Sequence, residues 1–279
     1  MAKPNSSPHG VGDIIVTINE EFQNKFGKKL VVEDTGRVAR ANGRNFGLLN
    51  QTATEDSDSR GVATNGEVLL AVGENTSSIY QYEFGSPYDV TTLSYTQKLV
   101  DVGGQDSSPK DITTNGKKLI LSGSETDSYY SYSFGSQWDI STLSYDGASY
   151  SFGDDVLLAA LGVVSDGDKL ISSGNGGFYQ YNLQTDWDVS GMSLNEVKRL
   201  TAGPDSMYTN GEIIYTSNSG ADVVYQHRFG EPYDVTTISY EANAEVTEPH
   251  GLESTDDNLI VVDGSTVESW IYRSKISLP

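Results

Sequence analysis

A pattern that occurs four times along this chain constrains its fold more than any other feature. It consists of an alternating aromatic run, a short connector, and an aromatic residue followed by Asp, an aliphatic residue and Ser or Thr. Self-similarity at a period of 46 to 50 residues indicates an array of equivalent structural units, either stacked or circular. The shared aspartates, which are spaced 50, 49 and 46 residues apart, are Asp89, Asp139, Asp188 and Asp234.

Each repeat unit predicts four antiparallel strands and no helix. An Asn-Gly or Asp-Gly pair precedes the apolar strand in each of the four complete units, and such pairs favour tight hairpins because their residues tolerate positive φ. The aromatic strand follows, and a last strand comes after the Asp turn. Residues 249–274 supply a fifth unit that lacks its last strand, whereas residues near 46–54 supply a last strand without a unit.

These complementary ends predict a closed ring. An N-terminal strand that completes the C-terminal unit removes free sheet edges. An open solenoid is the alternative, but it would need two capping ends. We therefore predict an all-β fold: a five-bladed β-propeller of four-stranded antiparallel blades with N-/C-terminal closure over residues 44–279, preceded by a short β-rich arm at residues 1–43.

The predicted arm carries a local reversal of charge. The whole chain has a formal net charge of −21, yet basic residues cluster in and next to the arm. Two accounts remain open: a flap that packs on the propeller, and an assembly arm that docks onto acidic subunits. The basic residues assigned to this arm are Lys25, Lys28, Lys29, Arg37 and Arg40.

Composition excludes several classes of partner and chemistry. The net charge of −21 and the pI near 4.3 argue against binding to nucleic acid or anionic membranes. The chain has no Cys, so disulfides and thiol chemistry are excluded. No signal-peptide pattern and no long apolar run is visible, so we expect synthesis in the cytoplasm and no membrane insertion. The acidity favours adaptation to high salt over an ordinary acidic protein.

The repeated aspartates invite two interpretations. They could form a carboxylate or calcium array, or each could accept from backbone N–H groups two residues on and fix an Asx turn. We favour the structural turn. A structural cation in the Asp-rich loops stays open, and we predict no other cofactor.

One axial end of the ring is the candidate ligand site. Five loops that enter the innermost strands converge there, and equivalent positions carry different, mostly charged residues. Such variation suits an asymmetric ligand, although a solvated rim would look the same. The candidate ligand-binding residues are Arg60, Lys110, Asp111, Asp205 and His250.

The sequence contains no pattern for a nucleophile or a catalytic metal. The three histidines are not spaced as a metal pair, and no G-x-S-x-G, H-E-x-x-H or phosphate loop occurs. We therefore predict that the protein is not an enzyme.

The repeat also resembles a known family. Residues 130–145, with Tyr130, Tyr132 and the run WDISTLSY, are similar to the YVTN/NHL-type propeller repeat, especially in structural proteins of tailed phages and archaeal tailed viruses. The resemblance covers residues 44–279. It implies a non-enzymatic virion protein, such as a capsid turret, decoration or tail appendage.

This resemblance also implies partners and a location. Residues 1–43 would anchor a homo-oligomer to other virion subunits, and the exposed propeller would contact host surface glycans. The protein would be made in the host cytoplasm and reside in the virion, and the acidic composition indicates a haloarchaeal host. The alternative is a glycosidase-like, glycan-active enzyme or a lectin that uses the axial pocket.

Overall fold

A computed structural model of the protein describes residues 38–41, 44–151, 163–174, 177–199, 204–246, 249–254, 258–262 and 266–272. Two strands, β1 (Val38–Ala41) and β2 (Arg44–Ala53), precede the first complete repeat unit. Apart from short 3₁₀ turns, the described residues form only strands, turns and connecting segments, and the protein is therefore all-β.

Four antiparallel sheets of four strands each follow the repeat units in chain order, and we call them blades 1 to 4. Blade 1 contains β3 (Ser59–Thr64), β4 (Val68–Gly73), β5 (Ser78–Phe84) and β6 (Leu93–Asp101). Blade 2 contains β7 (Pro109–Thr114), β8 (Lys118–Gly123), β9 (Ser128–Phe134) and β10 (Leu143–Ser151). Blade 3 contains β11 (Val163–Ser165), β12 (Lys169–Gly174), β13 (Gly177–Asn182) and β14 (Ser193–Arg199). Blade 4 contains β15 (Met207–Thr209), β16 (Ile213–Asn218), β17 (Val223–Arg228) and β18 (Ser239–Glu245).

The remaining sheet joins the two ends of the chain, and we call it the closing sheet. It adds β19 (Gly251–Ser254), β20 (Asn258–Val262) and β21 (Thr266–Tyr272) to β1 and β2. Its order is β1-β2-β21-β20-β19, and β2 pairs with β21 from Phe46↔Tyr272 to Ala53↔Thr266. The sheets are arranged as a propeller, because the inner strands β3, β7, β11, β15 and β19 contact one another in a cycle.

The prediction of five four-stranded blades needs a correction, because the described residues form four such blades and not five. Four described sheets have four strands, whereas the closing sheet has five because β1 pairs with β2, with Val38 opposite Gly47. β1 lies inside the predicted arm, and the compact unit that contains the sheets begins at Val38. No helix in the described residues is long and apolar enough to cross a bilayer.

The two turn motifs of a repeat form one local unit. Gly66 of the first hairpin has φ +90°, and a Cβ there would lie 2.4 Å from the ring of Tyr88. Only glycine therefore allows both this backbone conformation and the contact with the aromatic residue of the Asp turn. The same pairing recurs between Gly116 and Trp138.

The hydrophobic core lies between the sheets. Alternating aromatic residues of the third strands, such as Tyr82 and Tyr132, are 2% exposed, because every second side chain of a strand faces the same neighbour. Separate clusters of buried side chains join each sheet to the next. Packing between neighbours therefore fixes the inner strands around one axis.

Candidate functional site

The candidate site lies at one axial end, where the inner strands begin. Arg60 of β3, Lys110 of β7 and His250, which immediately precedes β19, hold equivalent positions in consecutive sheets. The structure brings these three predicted residues together with three others. We call the group the axial cluster, and its members are Asp58, Arg60, Glu74, Ser108, Lys110 and His250.

Arg60 is the centre of this cluster. Its Nε forms ion pairs with Oδ1 of Asp58 at 2.9 Å and with Oε2 of Glu74 at 2.5 Å. Its Nη2 donates to Oδ2 of Asp58 at 3.1 Å, and its Nη1 donates to Nδ1 of His250 at 2.6 Å. Because arginine can only donate, Nδ1 of His250 must accept, and the neutral imidazole carries its proton on Nε2.

Glu74 links blade 1 to blade 2. It follows β4, and its Oε1 accepts from Lys110 Nζ and from Ser108 Oγ, the latter at 2.6 Å. Burial alone would raise the pKa of Glu74. The hydrogen bonds from Lys110 and Ser108, together with the positive charges of Arg60 and Lys110, outweigh burial and hold that pKa below its usual value. Glu74 is therefore ionised at neutral pH.

The axial cluster is preorganised but still open to solvent. The side chain of Lys110 is 14% exposed, that of Glu74 19% and that of Asp58 29%. Two fixed cations, Arg60 and Lys110, face two carboxylates, so the cluster has no net charge when His250 is neutral. It can present several directed donors and acceptors to a polar molecule.

Asp111, which the sequence assigns to ligand binding, has a different place. It is 1% exposed, and its carboxylate accepts from Ile112 N at 2.9 Å, Val163 N at 3.1 Å and Ser206 Oγ at 3.0 Å. Ser206 Oγ in turn accepts from Leu252 N at 3.2 Å. The carboxylate therefore connects blades 2, 3 and 4 and, through Ser206, the closing sheet.

The position of Asp111 depends on the small residue beside it. A Cβ on Gly61 of blade 1 would lie 2.1 Å from its Oδ1, so the carboxylate fills the space that this glycine leaves at the axis. Burial raises the pKa of Asp111 well above its usual value, against the hydrogen bonds from Val163, Ile112, Ser206 and Met207. Asp111 ties the inner strands together and does not face solvent.

Asp205 also serves the scaffold. Its Oδ2 accepts from the backbone N–H and the hydroxyl of Ser219, both at 2.6 Å. Asp56 and Asp106 make the same bonds to Thr76 and Thr126 in blades 1 and 2. These aspartates tie the loop before an inner strand to the turn after the second strand, which explains their recurrence.

The repeated aspartates occupy one kind of position. Each is the N-cap of a 3₁₀ turn, and its side chain accepts from the backbone N–H two residues on, as Asp89 does from Thr91 at 3.0 Å. Within the part of the chain that the structure describes, no group of three or more His, Asp or Glu side chains is placed to hold a metal ion.

Of the predicted assembly residues, Arg40 alone is among those that the structure describes. Lys25, Lys28, Lys29 and Arg37 lie outside the described residues. Arg40 lies on β1, opposite Asn45 of β2.

Sequence reasoning missed Glu74 as a member of the site. It occupies a turn that the repeat pattern treats as a simple connector, and the equivalent residue of blade 2 is Ser124. A comparison of turns between the units would have found this change from Ser to Glu next to the inner-strand loops.

Comparisons with known proteins support the propeller fold. No family model matches the sequence, and no curated protein matches it. The structure is similar to Myxococcus xanthus glutaminyl cyclase, with a TM-score of 0.52 and 9% identity over 81% of this chain and 97% of that chain. A virginiamycin B lyase from Staphylococcus aureus has a TM-score of 0.42 and 8% identity over 81% and 99% of the two chains. A nidogen/laminin complex has a TM-score of 0.47 and 13% identity over 81% and 84%.

The similarity to the glutaminyl cyclase corrects the prediction that the protein is not an enzyme. The glutaminyl cyclase, whose fold this chain shares over most of both lengths, is itself an enzyme. The absence of a familiar catalytic motif was therefore no ground for excluding catalysis, and the prediction is wrong. At 9% identity the similarity shows the fold alone and transfers no activity. The resemblance to tailed-virus proteins stays a prediction.

Proposed function

We propose that this protein binds a saccharide at the axial cluster. The observation that carries the proposal is the set of fixed, partly exposed polar groups that Arg60, Glu74, Lys110 and His250 contribute from three consecutive sheets. A ring of hydroxyl groups could pair with several of these donors and acceptors at once. Binding sites commonly use a few well-placed polar groups of this kind to orient a ligand.

The charge balance of the cluster favours a neutral ligand. Both cations are already paired with carboxylates, and the whole chain carries a net charge of −21, which repels anions. A cationic ligand would have to displace Arg60 or Lys110 from Glu74. A polyhydroxylated molecule avoids both penalties, because it needs no counter-charge.

A glycan array probed with the labelled protein, followed by calorimetry, tests this proposal. Lys110→Ala should weaken binding at least tenfold, because it removes a hydrogen-bond donor from the site and leaves the negative charge of Glu74 without the Lys110 cation. Lys118→Ala is the matched control: Lys118 lies in the same blade at the opposite end and pairs with Asp146 at 2.9 Å. Equal affinity of the two variants, or no bound glycan, would contradict the proposal.

A glycan-active enzyme at the same cluster is the second candidate. Asp58 and Glu74 both contact Nε of Arg60, so two carboxylates flank one point, and glycoside hydrolysis requires such a pair. The lowered pKa of Glu74 suits the member of the pair that stays ionised. If the bound saccharide is cleaved, Glu74→Gln should abolish cleavage, and product analysis by mass spectrometry would detect either outcome.

We also propose that the closing sheet acts as the fifth blade of a closed ring. The cyclic contacts of the inner strands and the pairing of β2 with β21 support this. Asn50 and Ser269 face each other in that register, and the chain has no Cys. Asn50→Cys with Ser269→Cys should form a disulfide on oxidation, whereas either single variant should form only intermolecular bonds. A double variant that stays reduced would contradict ring closure.

The wider setting we propose is the surface of a tailed-virus particle. The supports are the resemblance of the repeat and the basic cluster within residues 1–43, which would anchor a homo-oligomer to acidic subunits. Mass spectrometry of purified particles should detect the chain in fixed stoichiometry with capsid or tail proteins. Its absence from the particles would overturn this setting without affecting saccharide binding.

A further inference from the structure

The fourth strands of the blades lie at the outer edges of their sheets. The inner strands contact one another around the axis, and β6, β10, β14 and β18 stand at the other end of each sheet order. In β14 six of the seven residues are exposed, a larger share than in β6 or β10. Its apolar residues Leu194 and Val197 are each 37% exposed. An exposed strand at a sheet edge is a template for pairing with a further strand.

The closing sheet shows that an outer edge of this protein accepts a further strand. β2 follows β21 in that sheet as β14 follows β13 in blade 3, and both lie on the outer side of a third strand. β1 pairs antiparallel with the outer side of β2, with Val38 opposite Gly47 and Ala41 opposite Arg44. Antiparallel addition at the edge of an outer strand is therefore compatible with this fold.

The side chains of β14 divide between its two faces. Glu196 and Lys198 face blade 4: Glu196 lies opposite Gln180, whose Oε1 accepts from that blade, and Lys198 Nζ donates to Thr236 O of the same blade at 3.4 Å. Val197 stands between them on the other face, because successive side chains of a strand alternate. β14 thus has an anion and a cation on either side of one exposed apolar residue.

We propose that β14 of one molecule pairs antiparallel with β14 of a second copy of the chain. A twofold axis beside Val197 places this residue opposite Val197 of the second copy. The same register sets Glu196 of each molecule opposite Lys198 of the other, so that the contact contains two symmetric pairs of unlike charge. Unlike charges directly opposite one another stabilise an antiparallel pair, and a twofold contact of this kind closes on itself as a dimer.

The other outer strands lack this self-complementarity. In the equivalent register β6 would set Lys98 opposite Val100, and β10 has no charged residue beside its central position. β18 would set Glu241 opposite Glu245, a pair of like charges, and it also contacts β1. Among the outer strands that the structure describes, the pattern of charges therefore favours β14 as the strand that meets a second copy.

The size of the contact sets the strength of the dimer. A β-bulge between Leu194 and Glu196 limits regular pairing to a few residues around Val197. A contact of this size is at the low end of specific interfaces, and two chains of charge −21 repel each other at long range. We therefore expect a reversible dimer at high protein concentration. Moderate salt should promote it, because salt screens the long-range repulsion more than charges in direct contact.

Charge reversal in the full chain tests the register, with sedimentation equilibrium as the measurement. Glu196→Lys and Lys198→Glu each place like charges opposite one another twice, and each should raise the dissociation constant of the dimer about tenfold. The double variant exchanges the charges and should dimerise as the parent protein does. A parent protein that is monomeric at every concentration, or a double variant as weak as either single variant, would overturn the proposal.

Single cysteines test the contact itself, since the chain has none. Val197→Cys would face its own copy and should form a disulfide-linked dimer on mild oxidation, whereas Ser149→Cys, at the equivalent position of β10, should remain monomeric under the same conditions. Equal yields from both variants would contradict the assignment to β14. Hydrogen exchange in β14 should slow as the protein concentration rises. Protection that does not depend on concentration would show that the same chain covers the strand, which would also overturn the proposal.

Discussion

His227 offers a direct test of how the interblade cores respond to pH. It stands where the other blades carry Tyr82, Tyr132 and Tyr181, and its ring packs edge-to-face on Phe178 at 5.9 Å. Burial lowers the pKa of His227 from 6.5 to about 4, although the nearby charge of Glu241 acts in the opposite direction. The folded protein therefore holds a neutral imidazole where the unfolded chain would be protonated.

The sign of the pH effect follows from this difference. Between pH 6.5 and about 4, His227 is protonated in the unfolded chain but stays neutral in the folded protein. The free energy of unfolding is therefore unaffected by this residue above pH 6.5 and decreases as the pH falls below that value. A difference of about 2.5 pKa units at about 1.4 kcal/mol each corresponds to about 3.5 kcal/mol in total, of which about 3 kcal/mol is lost by pH 4.

The variant His227→Tyr restores the residue of the other blades and removes this contribution. Urea unfolding of both proteins at a series of pH values between about 7 and 4 measures it, because the difference between them cancels the titration of all other groups. The parent protein should lose about 3 kcal/mol more than the variant over this range. Equal losses would refute the argument that the core keeps His227 neutral.

Three further predictions concern the scaffold. Asp111→Ala leaves Val163 N–H and the Ser206 hydroxyl unpaired at the axis, and at about 1–3 kcal/mol for each buried group it should strongly lower the urea midpoint. The melting temperature should rise between about 0.1 and 2 M NaCl, because the screening length falls from about 10 Å to under 3 Å and the charge of −21 repels itself less; a flat profile would remove the argument for high-salt adaptation. Deleting residues 1–56 removes β2 and should abolish cooperative unfolding by calorimetry, whereas deleting residues 1–40 keeps β2 and should preserve it.

Much of the architecture could be predicted from local sequence signals. Pairs such as Asn65-Gly66, the alternating aromatic strands and the turn at Asp89 act over a few residues, so each repeat shows them directly. The incomplete units at the two ends of the chain also predicted the pairing of β2 with β21, because the same local repeat pattern identifies each of them. β1 could not be predicted, because Val38–Ala41 lies outside the repeat and its place depends only on pairing with β2.

The site was harder to predict because burial at the axis is a property of the whole ring. Lys110 and Asp111 are adjacent charged residues of β7. The carboxylate of Asp111 is buried between the sheets, whereas the side chain of Lys110 forms an ion pair with Glu74. What separates them is the space beside Gly61, which belongs to another blade. Glu74 was not predicted because its role depends on contacts with Lys110 and Ser108 of the neighbouring blade, which the sequence of its own turn does not show.

The central claim is that a saccharide binds at the axial cluster, and selective ¹⁵N labelling of histidine tests it most directly. The chain has three histidines, His9, His227 and His250, whose signals can be assigned with His227→Tyr and His250→Gln. Titration with the saccharide found on the array should shift the imidazole signals of His250, which accepts from Arg60, and leave those of buried His227 in place. Saturation of binding without a change at His250 would contradict the claim.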